Sequence, residues 1–166
     1  NHTLVYAKNY DGVKNILNIS NESFDHYYRK PLSSMEKVYN GLNENNILTT
    51  GCLQSKWNQY ILSGNEVKAL ELIKKYRDKF GDDFYLEIQL NNLDMQMQCN
   101  NFYHKVYKKT GIKPVFALDY HYANKDDWYI QYLLYVIRQR ETVNSYTPED
   151  WFYTVHSLYI KQIDEI

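Results

Sequence analysis

Short apolar runs of strand length alternate along this chain with longer segments whose apolar residues recur every three or four positions. That alternation of period two with period 3.6 admits few architectures, and it reads as α/β with mostly parallel strands separated by helices. Thr3 to Ala7, Ile47 to Thr50, Asp83 to Gln89 and Lys113 to Leu118 are the expected strands, the last of them buried. Asp11 is placed to cap a first helix carrying Val13, Ile16 and Leu17 on one face. Residues 24–42 are ambiguous, broken by Pro31 and closed by Gly41. The clearest helix follows Asn65 as N-cap, with Val67, Leu70, Ile73, Tyr76 and Phe80 on one stripe and Gly81 at the αL stop. A further helix from about Asp94 buries Met95, Cys99, Phe102 and Val106 and stops at Gly111. Another runs from about Asn124 to Arg140, and a segment opened by Pro148 completes the chain.

The 166 residues suffice for one ordinary domain, and 44% hydrophobic against 23% charged residues give enough apolar material for a core. Nineteen Lys and Arg against twenty Asp and Glu exclude a polyanion binder that works by bulk charge, while a local patch remains open. No apolar stretch approaches the ~20 residues that span a bilayer. Asn1-His2-Thr3 has neither a basic n-region nor an apolar h-region, so no signal peptide is expected. Two cysteines make no disulfide framework, and a reducing cytoplasmic setting fits them. The chain opens without Met, as a processed protein or a fragment of a longer one would. Eighteen Tyr and seventeen Asn carry little functional weight, since an AT-rich genome produces the same bias.

The residues with most chemical content are Asp119 and His121. On a continuing strand they would share a face, roughly 7 Å apart, just past the carboxyl end where α/β folds place ligands. A carboxylate and an imidazole so placed suit a divalent metal, although Asp-x-His is a weak motif that is often only an N-cap beside a surface His. Gly51-Cys52 follows another expected strand and reaches the same sheet edge, where a thiolate would favour zinc over magnesium; a small buried cysteine is the plainer alternative. Cys99 falls on an apolar helix face and belongs to the core. His26, His104 and His156 have no partner at ligand spacing and are expected in surface or packing roles. The lysines and arginine between 74 and 79, and the lysines between 105 and 113, read as solvated helix faces. Tyr27-Tyr28-Arg29-Lys30 mixes aromatics with cations, a composition able to stack on and neutralise a nucleic-acid strand. No Gly-rich phosphate loop, nucleophile elbow or CxxC pair occurs.

Five collinear segments resemble one family. His2-Thr3-Leu4-Val5-Tyr6-Ala7-Lys8-Asn9, with Gly12 and Asn15-Ile16-Leu17, is similar to the "HLVLLAKN…GYKNLL" segment in the PHP (polymerase and histidinol phosphatase) domain of bacterial DNA polymerase III alpha subunits. Tyr27-Tyr28-Arg29-Lys30-Pro31 resembles "YYKPR", and Thr50-Gly51-Cys52-Leu53 resembles "SGCL". Residues Phe80 to Gln89 resemble "FGDDFYLEIQ" almost letter for letter, and Leu118-Asp119-Tyr120-His121-Tyr122 with Asn124-Lys125-Asp126 resembles "NDVHYLNKED".

The resemblance implies a partial PHP-type fold, a distorted (βα)7 barrel with a metal cluster at its C-terminal rim. It implies that His2, Cys52, Asp119 and His121 are metal ligands, with Asp119 and His121 also catalytic, and that the metal is zinc or manganese, with magnesium a further option. The implied chemistry is metal-dependent phosphodiester hydrolysis of the 3′–5′ exonuclease type. DNA would be the partner through the full polymerase, along with other replicase segments or subunits, and no membrane. Three departures bear on activity. The family's opening His-x-His, a later His and its Gly-x-Glu precede "HLVLLAKN", so residues 1–166 read as a PHP domain fragment lacking the N-terminal metal-binding motifs. Gln54-Ser55-Lys56 replaces an acidic Gly-Glu, and Leu90-Asn91-Asn92 stands where "DHG" is usual. The alternatives are therefore a degenerate structural or subunit-binding module and, more remotely, a stand-alone PHP phosphatase. A partial barrel would expose strand edges and apolar surface, so self-association is expected. The geometric expectation is that Cys52 and the Asp119/His121 couple reach a common rim.

Overall fold

The computed structural model describes residues 2–25, 27, 29–145 and 156–165. Four strands, β1 (Leu4–Ala7), β2 (Asn46–Thr49), β3 (Phe84–Gln89) and β4 (Pro114–Ala117), form one sheet in the order β1-β2-β3-β4. Among the described residues six α-helices accompany them: α1 (Tyr10–Phe24), α2 (Met35–Gly41), α3 (Lys56–Leu62), α4 (Glu66–Phe80), α5 (Asp94–Thr110) and α6 (Trp128–Gln139). The mixed α/β class read from the sequence is observed.

One strand runs against expectation. β2 and β3 are parallel, but β1 pairs antiparallel with β2, with Leu4 opposite Thr49 and Ala7 opposite Asn46. Parallel pairing needs a crossover, but a helical connection does not dictate it: β1–β2, joined through α1 and α2, is antiparallel, whereas β2–β3, joined through α3 and α4, is parallel. β4 departs too: it is an edge strand, with Val115 and Phe116 exposed, rather than a buried one.

The chain divides into two compact units. The first comprises residues up to Glu87 together with Gln98–Val115. Its core joins Leu48 and Phe84 of the sheet to Trp57, Ile73 and Tyr76 of the helices, all essentially inaccessible. Trp57 meets Tyr76 edge-on at 5.0 Å, and Tyr76 lies 6.0 Å from Phe84. Each such side chain contributes about 1.5–3 kcal/mol on burial. The stripe of α4 is narrower than its spacing implies: Ile73, Tyr76 and Phe80 are buried, whereas Val67 and Leu70 are exposed. On α5, likewise, Cys99, Phe102 and Val106 are buried and Met95 is exposed.

Helix ends follow side-chain chemistry. Asn9, not Asp11, caps α1, accepting from Gly12 N at 3.0 Å, and of the expected α1 stripe Val13 and Leu17 are exposed. Asn65 caps α4 as expected, accepting from Lys68 N. Gly81 has the expected positive φ of 56°, but its ψ of −130° lies outside the αL well, in a region essentially reserved for glycine. Asparagines that carried no weight in the sequence tie α1 to β2: Asn15 Nδ2 donates to Asn43 and Asn46, and Asn46 Nδ2 donates to Gly12 O at 3.0 Å. A Cβ on Gly12 would come within 2.2 Å of Asn45 O, so the close approach of α1 to that loop requires glycine.

The second unit comprises Ile88–Met97 and the residues from Phe116 onward. Tyr132 and Val136 of α6 form its small core, with Tyr122, Trp128, Leu133 and Tyr135 packed around them. The helix expected from Asn124 begins as a 3₁₀ turn, Lys125–Asp127, closed by a reciprocal cap in which Asn124 N donates to Asp127 Oδ2 at 2.9 Å. Of the segment opened by Pro148, residues 148–155 lie outside the described residues.

Candidate functional site

Two pairs of metal-competent side chains emerge, one in each unit. In the first unit, β2 ends at Thr49, Thr50 N donates to Tyr85 O at 3.1 Å, and Gly51 turns the chain with φ at +68°. The N-terminal segment lies across this turn: His2 N donates to Gln54 O at 3.3 Å, and a Cβ on Gly51 would meet His2 O at 2.6 Å. The outcome is a contact of 3.0 Å between His2 Nδ1 and Cys52 Sγ, and either heteroatom can carry the shared proton.

This loop is braced from beneath. Asn58 of α3 is fully buried, and its Nδ2 donates to the carbonyls of Gly51 at 3.2 Å and Cys52 at 2.9 Å. Its Oδ1 accepts from the Tyr103 hydroxyl at 2.6 Å. Ser55 N donates to Cys52 O at 2.8 Å while Ser55 Oγ caps α3. Burial drives the Tyr103 hydroxyl pKa far above that of a free tyrosine, so it stays a donor at any working pH. Behind it, Thr49 Oγ1 donates to the buried Glu87 Oε2 at 2.5 Å, and Glu87 N donates to Thr50 Oγ1 at 2.9 Å. Asn58, Tyr103, Thr49 and Glu87 were not singled out from the sequence. Glu87 did leave a signal, since a carboxylate amid Phe-Tyr-Leu-Glu-Ile requires a polar partner once that strand is buried.

In the second unit, the chain leaves β4 at Ala117 and Asp119 takes a left-handed conformation, φ +47°. Asp119 and His121 are thus not alternate residues of a strand. The turn brings them closer than a strand would, with Asp119 Oδ1 3.5 Å from His121 Nε2. The two side chains keep about a quarter of their surface open, 25% for Asp119 and 29% for His121. The backbone after the turn is anchored, with His121 N donating to Leu158 O at 2.7 Å and Leu158 N donating to the Tyr122 hydroxyl at 3.2 Å. Asp119 caps no helix.

The remaining histidines behave as the sequence implies where described. His104 is exposed on α5, and His156 stacks on Trp128 with ring centroids 4.0 Å apart. His26 and Tyr28 lie outside the described residues. Cys99 is fully buried, and its thiol pKa is pushed up to about 12 by that burial.

Among the described residues no group of three or more His, Cys, Asp and Glu side chains gathers tightly enough to hold a metal ion. Each pair, taken by itself, consists of donor types that a divalent metal accepts. Donors at about 2.0–2.3 Å from a tetrahedral zinc stand roughly 3.4–3.6 Å apart. The Asp119–His121 separation already matches, and His2 and Cys52 would need to open by about half an ångström.

Comparison with known proteins gives the family. The PHP domain profile matches residues 1–91, a span that includes both His2 and Cys52. The DNA polymerase III subunit alpha of Aquifex aeolicus is 35% identical over 148 residues, covering 86% of this chain and 12% of that protein. The same subunit from Thermus aquaticus is 26% identical over 166 residues, covering 99% of this chain and 13% of the relative. That of Deinococcus radiodurans is 28% identical over 170 residues, covering 99% and 12%. The chain thus spans about one eighth of the length of these curated relatives. With the profile matching more than half of its residues, and DNA polymerase III alpha subunits matching most of its length, the chain belongs to the PHP domain family.

Proposed function

We propose that this chain is a metal-binding portion of a PHP domain that serves a replicative DNA polymerase, with the partial (βα)7-type barrel of that family, and that the domain trims phosphodiester ends of DNA in the 3′–5′ sense. The observation that carries this reading is the pairing of metal-competent side chains in both units, His2 with Cys52 and Asp119 with His121. Sulfur and imidazole donors in one pair favour zinc, while carboxylate and imidazole in the other also accept manganese or magnesium.

In this reading His2, Cys52, Asp119 and His121 are ligands, with Asp119 supplying the anionic oxygen and His121 a neutral imidazole. When bound, a divalent cation lowers the pKa of a coordinated water and neutralises charge on the scissile phosphate. The protein's own work is orientation. Asn58 and Ser55 fix the carbonyls of the Cys52 loop, and the left-handed turn at Asp119 aims its carboxylate at His121. In the polymerase carrying this domain, Asp119→Asn should reduce metal-dependent release of 3′-terminal nucleotides from a labelled single strand by about 100-fold or more. Unchanged digestion with an unchanged metal content would overturn the hydrolytic reading.

A second reading, a structural or subunit-binding module, has its own support at the positions that depart from the family. Ser55 caps α3, Gln54 O accepts from His2 N, and the buried Asn91 accepts from Leu93 N through Oδ1 and from Ser157 Oγ through its carbonyl. These residues do structural work where an acid or imidazole is usual. A stably folded polymerase that takes up no metal at this domain would favour that module.

A further inference from the structure

Four lysine ammonium groups in the first unit sit over only two tyrosine rings. Lys75 Nζ and Lys79 Nζ lie 4.4 and 4.3 Å from the ring centroid of Tyr39, and Lys56 Nζ and Lys68 Nζ lie 4.7 and 6.0 Å from that of Tyr60. Elsewhere in this unit Lys8, Lys14, Lys74 and Arg77 are paired with carboxylates. Among the described residues none of the four ring-bound lysines forms such an ion pair. Two like charges on one ring repel, and the Lys79 ammonium is held below its ordinary pKa by partial burial and then by the charge of Lys75.

The four cations form one stripe. Lys68, Lys75 and Lys79 follow the i, i+7, i+11 line of α4 and therefore share a face along about 16 Å of helix. A cavity of about 330 Å³ lined by Tyr60, Lys68, Glu71, Leu72 and Lys75 connects the two ring-and-lysine groups, with Glu71 its single carboxylate. The exposed apolar residues of α4, Val67 and Leu70, line a different groove with Val106 and Ile112. The stripe therefore lacks the apolar wedge by which a basic helix enters a lipid surface.

We propose that this lysine–tyrosine stripe binds the phosphate backbone of a single nucleic-acid strand. Aromatic rings, joined at Lys79 by the Tyr39 carbonyl that accepts from its Nζ, hold the ammonium groups in place and uncommitted to carboxylates, and 16 Å matches about five phosphates of a stacked strand at 3.4 Å each. An anionic backbone relieves the repulsion between Lys75 and Lys79. The stripe lies apart from the hydrolytic reading, since none of His2, Cys52, Asp119 or His121 belongs to it.

The test is fluorescence anisotropy of a labelled oligothymidylate titrated with the 166-residue chain in EDTA, where loss of metal cannot imitate loss of binding. Binding should weaken with salt. The triple variant Lys68→Gln/Lys75→Gln/Lys79→Gln should lose about tenfold or more in affinity and flatten the log–log salt slope by about 2, at ~0.7 per phosphate contact. Removing the same charge from α5, by Lys105→Gln/Lys108→Gln/Lys109→Gln, should leave affinity within about twofold if local geometry rather than net charge governs binding. Circular dichroism identifies any unfolded variant, and the single exposed substitution Lys75→Gln, with a loss of about threefold, keeps the test decisive in that case. Equal losses in both triple variants, no oligonucleotide binding at low salt, or preferential binding of phosphatidylserine vesicles would each overturn the proposal.

Discussion

His2 Nδ1 and Cys52 Sγ stand 3.0 Å apart although fifty residues separate them in the chain. Antiparallel pairing of β1 with β2 is what makes this possible, because it returns the start of one strand to the end of the other. The contact thus depends on the sheet register and on the turn at Gly51, and both can be perturbed.

Gly51→Ala should loosen that contact. Alanine is strained at φ +68°, and its Cβ would come within 2.6 Å of His2 O. A destabilisation of about 1–3 kcal/mol is expected in urea unfolding. Labelling of Cys52 should slow as the neighbouring imidazole moves away.

Asn58→Ala should cost more than Tyr103→Phe. The first substitution takes the Asn58 donor from the Gly51 carbonyl, leaves the Cys52 carbonyl with Ser55 N alone, and removes the Asn58 acceptor of the buried Tyr103 hydroxyl. About 2–4 kcal/mol is expected for it, against about 1–2 for removing the hydroxyl alone. Equal effects of the two in denaturant titrations would mean that Asn58 braces the Cys52 loop less than its contacts imply.

The two thiols should differ sharply in reactivity. Cys99 is fully buried with its pKa pushed up to about 12, while Cys52 is partly exposed beside an imidazole. A disulfide reagent should modify one thiol of the native chain quickly and the second only on unfolding. Zinc should protect the fast one, and rapid labelling of both would contradict the described core.

Alkaline pH should unfold the chain. Burial raises the Tyr76 hydroxyl pKa to about 12, with a smaller push from Tyr39, and raises the Cys99 thiol to about 12. In the unfolded chain these groups ionise near their ordinary values of 10.0 and 9.0, so the unfolded state releases protons first. Their contribution is fully present below pH 9 and declines as pH rises towards 12. Urea midpoints measured between pH 8 and 11 should fall, and Cys99→Ala should flatten the slope. A slope unchanged by that variant would show that another group governs it.

How much of this was legible depended on whether the signal was local. Asn65, the apolar face of α5 and the positive φ at Gly81 and Gly111 follow from short-range chemistry, and the sequence shows them. α3 escaped because seven residues are too few for periodicity, although Ser55 as cap and Trp57 with Ile61 on one face were there to be read. The antiparallel sense of β1 escaped because two-helix connections join both this pair and the parallel β2–β3 pair, and no local rule separates the two outcomes. Asp119 and His121 were identified as partners on strand alternation, yet they meet through a left-handed turn that the sequence does not announce. Asn58, Thr49 and Tyr103 were invisible because their importance lies in what they hold in place.

Cobalt titration of the chain, read by absorbance, tests the central claim most directly. If His2 and Cys52 hold a divalent metal, a thiolate-to-cobalt charge-transfer band should grow to saturation, vanish in Cys52→Ser and weaken in His2→Ala, with Cys99→Ala leaving it unchanged. No band at saturating cobalt, or a band that survives Cys52→Ser, would contradict the account.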